Sequence, residues 1–137
     1  MNLTPSNASN APAATAAPLT PDPAATQRLD HERLDCYAVA LEFAAMVPGL
    51  TKSARPSLRD QIERASASIA LNLAEGCARR TKRDRHHFFA MSQGSAMECA
   101  AAIDILRVNG HVTLAEAINA KHKLTRIVQM LVGLRRH

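Results

Sequence analysis

Residues 68–89 read SIALNLAEGCARRTKRDRHHFF. Ile69, Leu73 and their polar neighbours Ser68, Asn72 and Glu75 recur at steps of three and four, the period of a helix with one apolar and one polar stripe. Gly76 then interrupts the pattern. Five arginines and lysines and two histidines follow within residues 79–87. Thr81-Lys-Arg-Asp84 restarts a helix, with a hydroxyl three residues before a carboxylate as in a capping box. The stretch is therefore a helix, a basic turn and a second helix.

The same punctuation extends outward. Ser57-Leu-Arg-Asp60 and Thr113-Leu-Ala-Glu116 repeat the capping pattern, which predicts further helix starts. Pro48-Gly49, Gly76 and Asn109-Gly110 predict the stops of the first three helices. Apolar residues follow helical spacing in each segment. The first has Leu34, Tyr37, Ala38, Leu41, Ala44 and Ala45. The second has Leu58, Ile62, Ala65, Ile69 and Leu73. The fourth has Leu114, Ala117, Ile118, Leu124, Ile127, Val128, Leu131 and Leu134. Helix 3, over about residues 82–108, would be roughly 40 Å long at the standard rise. No β-branched alternation of a strand occurs. Short connections make sequential helices antiparallel, so the expected fold is all-α, an up-and-down four-helix bundle.

Residues 1–28 differ in kind. They hold five of the seven prolines in an Ala/Pro/Ser/Thr background that cannot bury enough apolar surface to offset ordering. They are expected to form a disordered tail, with the bundle domain over 29–137. The tail lacks the basic start and apolar core of a secretory signal, and no run is apolar and long enough for a membrane span. Cys36, Cys77 and Cys99 are odd in number, widely separated and outside zinc spacing. They read as small buried hydrophobes in a reducing cytoplasm. No metal or cofactor site is expected. His86 and His87 are adjacent, so on a helix they diverge by about 100°.

Two helices carry more apolar surface than a lone bundle needs. Between Cys36 and Leu50 the only charge is Glu42, and between Phe88 and Leu106 only Glu98 and Asp104. A second stripe on helix 1, Val39, Phe43, Met46 and Leu50, calls for a second partner. Homo-oligomerisation through helices 1 and 3 into a closed assembly is expected; cover by a loop or the tail is the alternative.

A polar stripe on helix 2, Gln61, Arg64, Ser68, Asn72 and Glu75, faces Gln93, Gly94, Ser95 and Glu98 of helix 3. Antiparallel folding about residues 78–80 pairs positions that sum to about 160. Gln61 then meets Glu98, Arg64 meets Ser95, and Arg64 comes within pairing reach of Glu98. Such a seam either fixes the register of the hairpin or performs acid–base chemistry. The structural role is the favoured one.

Gln61-x-x-Arg64-Ala65, Ser68-Ile69, Asn72-Leu73-Ala74-Glu75-Gly76, Arg80, Phe88 and Gly94-Ser95-x-x-Glu98 occur together and in order. The combination resembles the four-helix family of proteins encoded in intervening sequences of bacterial 23S rRNA genes. It is also similar to the related accessory variability proteins of diversity-generating retroelements. The likeness runs from about Leu34 to Gly110, with helix 4 matching in pattern only. It implies a cytoplasmic bacterial bundle assembled as a ring, a pentamer with a basic surface. From the retroelement branch it implies binding of RNA and a reverse transcriptase as partners. Cys77, where an aromatic residue is usual, and the Ala/Pro tail depart from the pattern.

The chain has a net charge of +5, which favours polyanionic partners. Arg79, Arg80, Lys82, Arg83 and Arg85 stand where the helix dipole opposes cations, an arrangement that favours binding over stability. Lys121, Lys123, Arg126, Arg135 and Arg136 of helix 4 are expected to extend that surface. With no Trp, one Tyr and three Phe, stacking on exposed aromatics is not expected. The expected function is non-enzymatic, salt-sensitive backbone binding of nucleic acid, structured RNA before DNA. The alternative is a scaffold for an acidic protein partner. Arg80 and His86 also share the spacing of a HEPN-type ribonuclease element, in which His is the general base. In an arginine-rich run that spacing arises readily by chance.

Overall fold

A computed structural model describes residues 27–137. The tail expected over 1–28 lies almost wholly outside the described residues. A 3-10 turn at Asp30–Arg33 leads into α1 (Asp35–Leu50), α2 (Pro56–Cys77), α3 (Lys82–Val108) and α4 (Leu114–Arg136). There is no strand among the described residues. Each helix packs on two neighbours, in the cyclic order α1, α2, α3, α4, so α1 and α3 lie diagonally opposite.

Side-chain bonds fix the antiparallel register. Ser95 Oγ is 2.9 Å from Ser68 Oγ, and Gln61 Nε2 donates to Glu98 at 3.2 Å. These pairs sum close to 160, as the hairpin argument requires. Lys123 reaches Glu42 at 3.1 Å and ties α4 to α1, while Lys121 reaches Asp104 at 2.7 Å and ties α4 to α3.

The core is built from Ile62, Ile69 and Leu73 of α2, Ile103 and Leu106 of α3, and Leu124, Ile127 and Leu131 of α4. The contribution of α1 corrects the sequence reading. Val39, Phe43, Val47 and Leu50 point inward, whereas Leu41 is 47 % exposed and Ala38 and Ala45 face solvent. Leu34 and Tyr37 of the expected stripe do pack against the core, and both stripes have helical spacing. The one with the larger side chains is buried because it removes more apolar area from water. Phe43 therefore belongs to the core and not to an interface between subunits. Leu114 and Ile118 of α4, expected in the core, are likewise exposed.

Helix ends differ in instructive ways. Thr113 and Glu116 form the complete box, each side chain bonding the other's amide at 3.1 Å. Thr81 Oγ1 accepts from the Asp84 amide at 3.1 Å. The expected box at Ser57 does not form. Pro56 occupies the first helical position and Arg55 is the N-cap, because a fixed φ and a missing amide suit that place. Pro48 and Gly49 lie inside the last turn of α1 instead of ending it. Beyond them the Thr51 amide and hydroxyl both bond the Val47 carbonyl, at 3.0 and 2.8 Å. Arg59 then ties down the connecting loop through the carbonyls of Thr51, Lys52 and Ala54.

Gly76 does not stop α2 either. A Cβ there would lie 2.6 Å from the Phe89 ring, so the glycine admits α3 at close range. Gly110 is the true conformational glycine, with φ +79°. His111 bonds the Leu106 carbonyl at 2.9 Å and Gly110 bonds that of Arg107 at 3.1 Å, the Schellman pattern.

Cys36 and Cys99 are buried and Cys77 is half-buried. Desolvation pushes the Cys36 and Cys99 thiols up to about 12, and it raises Cys77 as well. The thiolate is the nucleophile, so iodoacetamide at pH 8 should modify the half-buried Cys77 first. Cys36 and Cys99 should react only after unfolding, which peptide mass mapping will read. The folded state holds these protons more tightly than the unfolded chain. Their contribution to stability is therefore complete below pH 9 and is lost as pH rises toward 12.

Candidate nucleic-acid interface and its cleft

One end of the bundle gathers the start of α1, the α2–α3 turn and the end of α4. Four cations of the turn, Arg80, Lys82, Arg83 and Arg85, are exposed and make no ion pair among the described residues, where Glu75–Arg79, Asp104–Lys121 and Glu42–Lys123 are the pairs formed. Arg79 is committed differently. It pairs with Glu75 one turn back, and its guanidinium carbon stands 4.6 Å from the centre of the Phe88 ring. An arginine held by both a carboxylate and a ring face is pre-positioned at the edge of the patch.

Of the α4 cations, Arg135 and Arg136 lie in the last turn and join this end. Arg135 donates to Gln93 at 3.0 Å. Lys121 and Lys123 stand apart from it. Lys121 lies about 18 Å along α4 from Gly133 at the standard helical rise. Lys121 and Lys123 are also neutralised by Asp104 and Glu42. Arg126 is exposed and forms none of the ion pairs among the described residues.

The polar stripe of α2 is hydrogen-bonded in part to α3, while Gln93 bonds Arg135 of α4 instead. Ser68 is the hub of the seam: Asn72 donates to the Ser68 carbonyl and hydroxyl, both at 2.9 Å, and Ser95 closes onto the same hydroxyl. Ser92, absent from the sequence reading, donates to the Ile69 carbonyl at 2.8 Å in the interior. Arg64 shares a shallow groove with Gln61, Ser95 and Glu98 but does not pair with Glu98. Glu98 takes its hydrogen bond from Gln61 instead. Glu75 turns away from the seam to Arg79. The Gln61–Glu98 and Ser68–Ser95 bonds join α2 to α3 across the seam.

Beside the cations a cleft of about 720 Å³ opens between the helix ends. Its floor is Cys36, Phe89, Met130 and Leu134, and its rim includes Arg33, Arg80, Lys82 and Arg85. Arg80 and His86, the pair with ribonuclease-like spacing, both line it. The cleft was not visible in the sequence, because Arg33 and Leu34 are nearly a hundred residues from Met130 and Leu134. Only the antiparallel pairing of α1 with α4 brings them together. Among the described residues, no three His, Cys, Asp or Glu side chains converge as a metal site, and no helix is long and apolar enough to cross a membrane.

A family model described as 23S rRNA-intervening sequence protein matches residues 32–133. The fold is similar to a crystal structure of a protein of unknown function from the S23 ribosomal protein family of Bacteroides thetaiotaomicron. The TM-score is 0.69 and the identity 19 %, over 74 % of this chain and 99 % of that one. At that identity the likeness bears on fold alone. No curated protein matches the chain.

Proposed function

This chain belongs to the 23S rRNA-intervening sequence protein family, and from that premise we propose that it is a non-enzymatic, ring-forming bundle that binds structured RNA through its basic end. The observation that carries the reading is the set of four exposed, unpaired cations, Arg80, Lys82, Arg83 and Arg85, crowded at the start of α3. They oppose the α3 dipole and contribute nothing to the core. Phosphates at this end would both neutralise them and meet free amides of the first turn. Repetition around a ring would add weak phosphate contacts into useful avidity.

Exposed apolar side chains support the ring. Met97, Ile105 and Val108 of α3 are 59, 46 and 80 % exposed and follow one helical stripe with Ala101. On the diagonal helix, Leu41 is exposed between Ala38 and Ala45. Two different apolar faces on opposite sides suit a heterologous contact, the kind that closes into rings. Met97→Glu with Ile105→Glu should reduce the assembly to monomers in analytical ultracentrifugation without loss of helicity. An unchanged mass would place the interface elsewhere.

The function is tested by titrating structured RNA, duplex DNA and heparin against the wild type and the Arg80, Lys82, Arg83, Arg85→Gln variant at several salt concentrations. The variant should lose RNA binding, and its log–log salt slope should fall by about one for each phosphate contact removed. Equal binding of RNA and heparin would favour the acidic-protein scaffold. RNA cut by the wild type but left intact by His86→Ala would replace the non-enzymatic reading with the Arg80–His86 ribonuclease.

A further inference from the structure

The cleft at the basic end combines two chemistries that a flat phosphate-binding patch does not need. Its volume, about 720 Å³, lies within the range of small-ligand pockets. Its floor is apolar and polarizable, with the Phe89 ring, the Met130 thioether, Leu134 and Cys36. Its rim is cationic and unpaired, with Arg33 from the approach to α1 and Arg80, Lys82 and Arg85 from the α2–α3 turn. Asp35 is the single acidic side chain of the lining.

We infer that this cleft takes one unpaired, phosphorylated nucleotide of an RNA, with the base on the apolar floor and the phosphate among the rim cations. The inference rests on the RNA-binding reading and deepens it. Sulfur and aromatic surfaces accept a planar base without demanding its identity. Arginine forks match phosphate oxygens. Asp35 supplies an acceptor for ribose hydroxyls or an exocyclic amine, which a bare phosphate lacks. The first turn of α1, which borders the cleft at Leu34, Asp35 and Cys36, has no side-chain cap; the Leu34 and Tyr37 amides are bonded to carbonyls, which leaves those of Asp35 and Cys36 as donors for the same anion. Several separate cations exceed what one carboxylate of a fatty acid would use. The cleft also opens onto the cationic surface where an RNA strand would lie.

Gly133 provides a clean test. It lines the cleft, and a Cβ added there meets nothing within 4 Å. Gly133→Leu therefore fills the cleft, while replacing a helical glycine with a better helix former. The full-length wild type and this variant would be titrated by calorimetry with the dinucleotide pUpA, with the same dinucleotide lacking the 5′-phosphate, with inorganic phosphate and with oleate. Binding of duplex RNA would be followed in parallel.

The wild type should bind pUpA and lose at least about tenfold in affinity without the phosphate, as expected for loss of charge-assisted bonds. Gly133→Leu should abolish pUpA binding and leave duplex binding unchanged. Should that variant misfold, Met130→Trp fills the same floor and should behave alike. Retention of pUpA binding in the filled variants would overturn the inference. So would phosphate binding as tight as pUpA, or oleate binding without pUpA. Loss of duplex binding in the wild type with pUpA binding intact would instead overturn the broader surface reading and leave the cleft assignment standing.

Discussion

Phe43→Glu should abolish cooperative folding, leaving a chain with no sigmoidal thermal transition in circular dichroism. Phe43 is fully buried at the centre of α1. Truncating a buried phenylalanine to alanine typically costs about 3–5 kcal/mol, against about 5–15 kcal/mol for a whole domain. Glutamate adds to that loss a carboxylate placed in the apolar interior, a penalty of several kcal/mol unless the group is paired or takes up a proton. The sum reaches the whole stability of a bundle this size. Leu41→Glu is the matched control, one helix with the charge placed on the opposite, exposed stripe, and it should melt cooperatively. If Phe43→Glu folds and only its assembly breaks, the inward stripe of α1 has been misassigned and the subunit contact lies on that face.

The second large effect is Gly76→Ala. In an isolated helix this exchange gains up to about 1 kcal/mol. Here the new methyl would stand 2.6 and 2.8 Å from two carbons of the Phe89 ring and 3.3 Å from the Arg85 carbonyl. Phe89 is itself buried, 3 % exposed, so either its ring is pushed toward the cleft it floors or α3 moves away from α2. Overpacking of this kind costs about 1–3 kcal/mol, and the net change should be a fall of several degrees in Tm. A double-mutant cycle separates the clash from any general intolerance. Phe89→Leu removes the offending ring carbons, so Gly76→Ala should cost far less in that background. A Tm that is unchanged or raised in the single variant would show that the α2–α3 spacing is not set at Gly76. Because Phe89 also floors the cleft, the displacement should weaken pUpA binding in the same variant.

Much of the candidate site was legible before the helices were assembled. The cations of residues 79–85 sit in one short segment, so no tertiary information was needed to group them. The seam was legible because a tight hairpin fixes which residues meet. Once the turn is located, Gln61 must fall opposite Glu98. The error at Arg64 arose one level lower. Register brings Arg64 and Glu98 near each other, but Glu98 accepts from Gln61, and spacing alone cannot rank two donors on one stripe. The pairing of Lys121 and Lys123 was not legible for a related reason: a count of positive charges on α4 takes no account of Asp104 on α3 and Glu42 on α1.

The sequence by itself determined the helical class, the number of helices, the α2–α3 register and the basic turn. Each of these follows from local spacing, capping chemistry or a single short connection. Only the tertiary structure decided which stripe of α1 is core, why Gly76 must be glycine, and that the ends of α1 and α4 enclose a cleft beside Arg80 and Lys82. Those outcomes depend on contacts between segments far apart in the chain. There the buried apolar area and the closeness of two backbones, which no periodicity encodes, select one arrangement among several that the pattern allows equally.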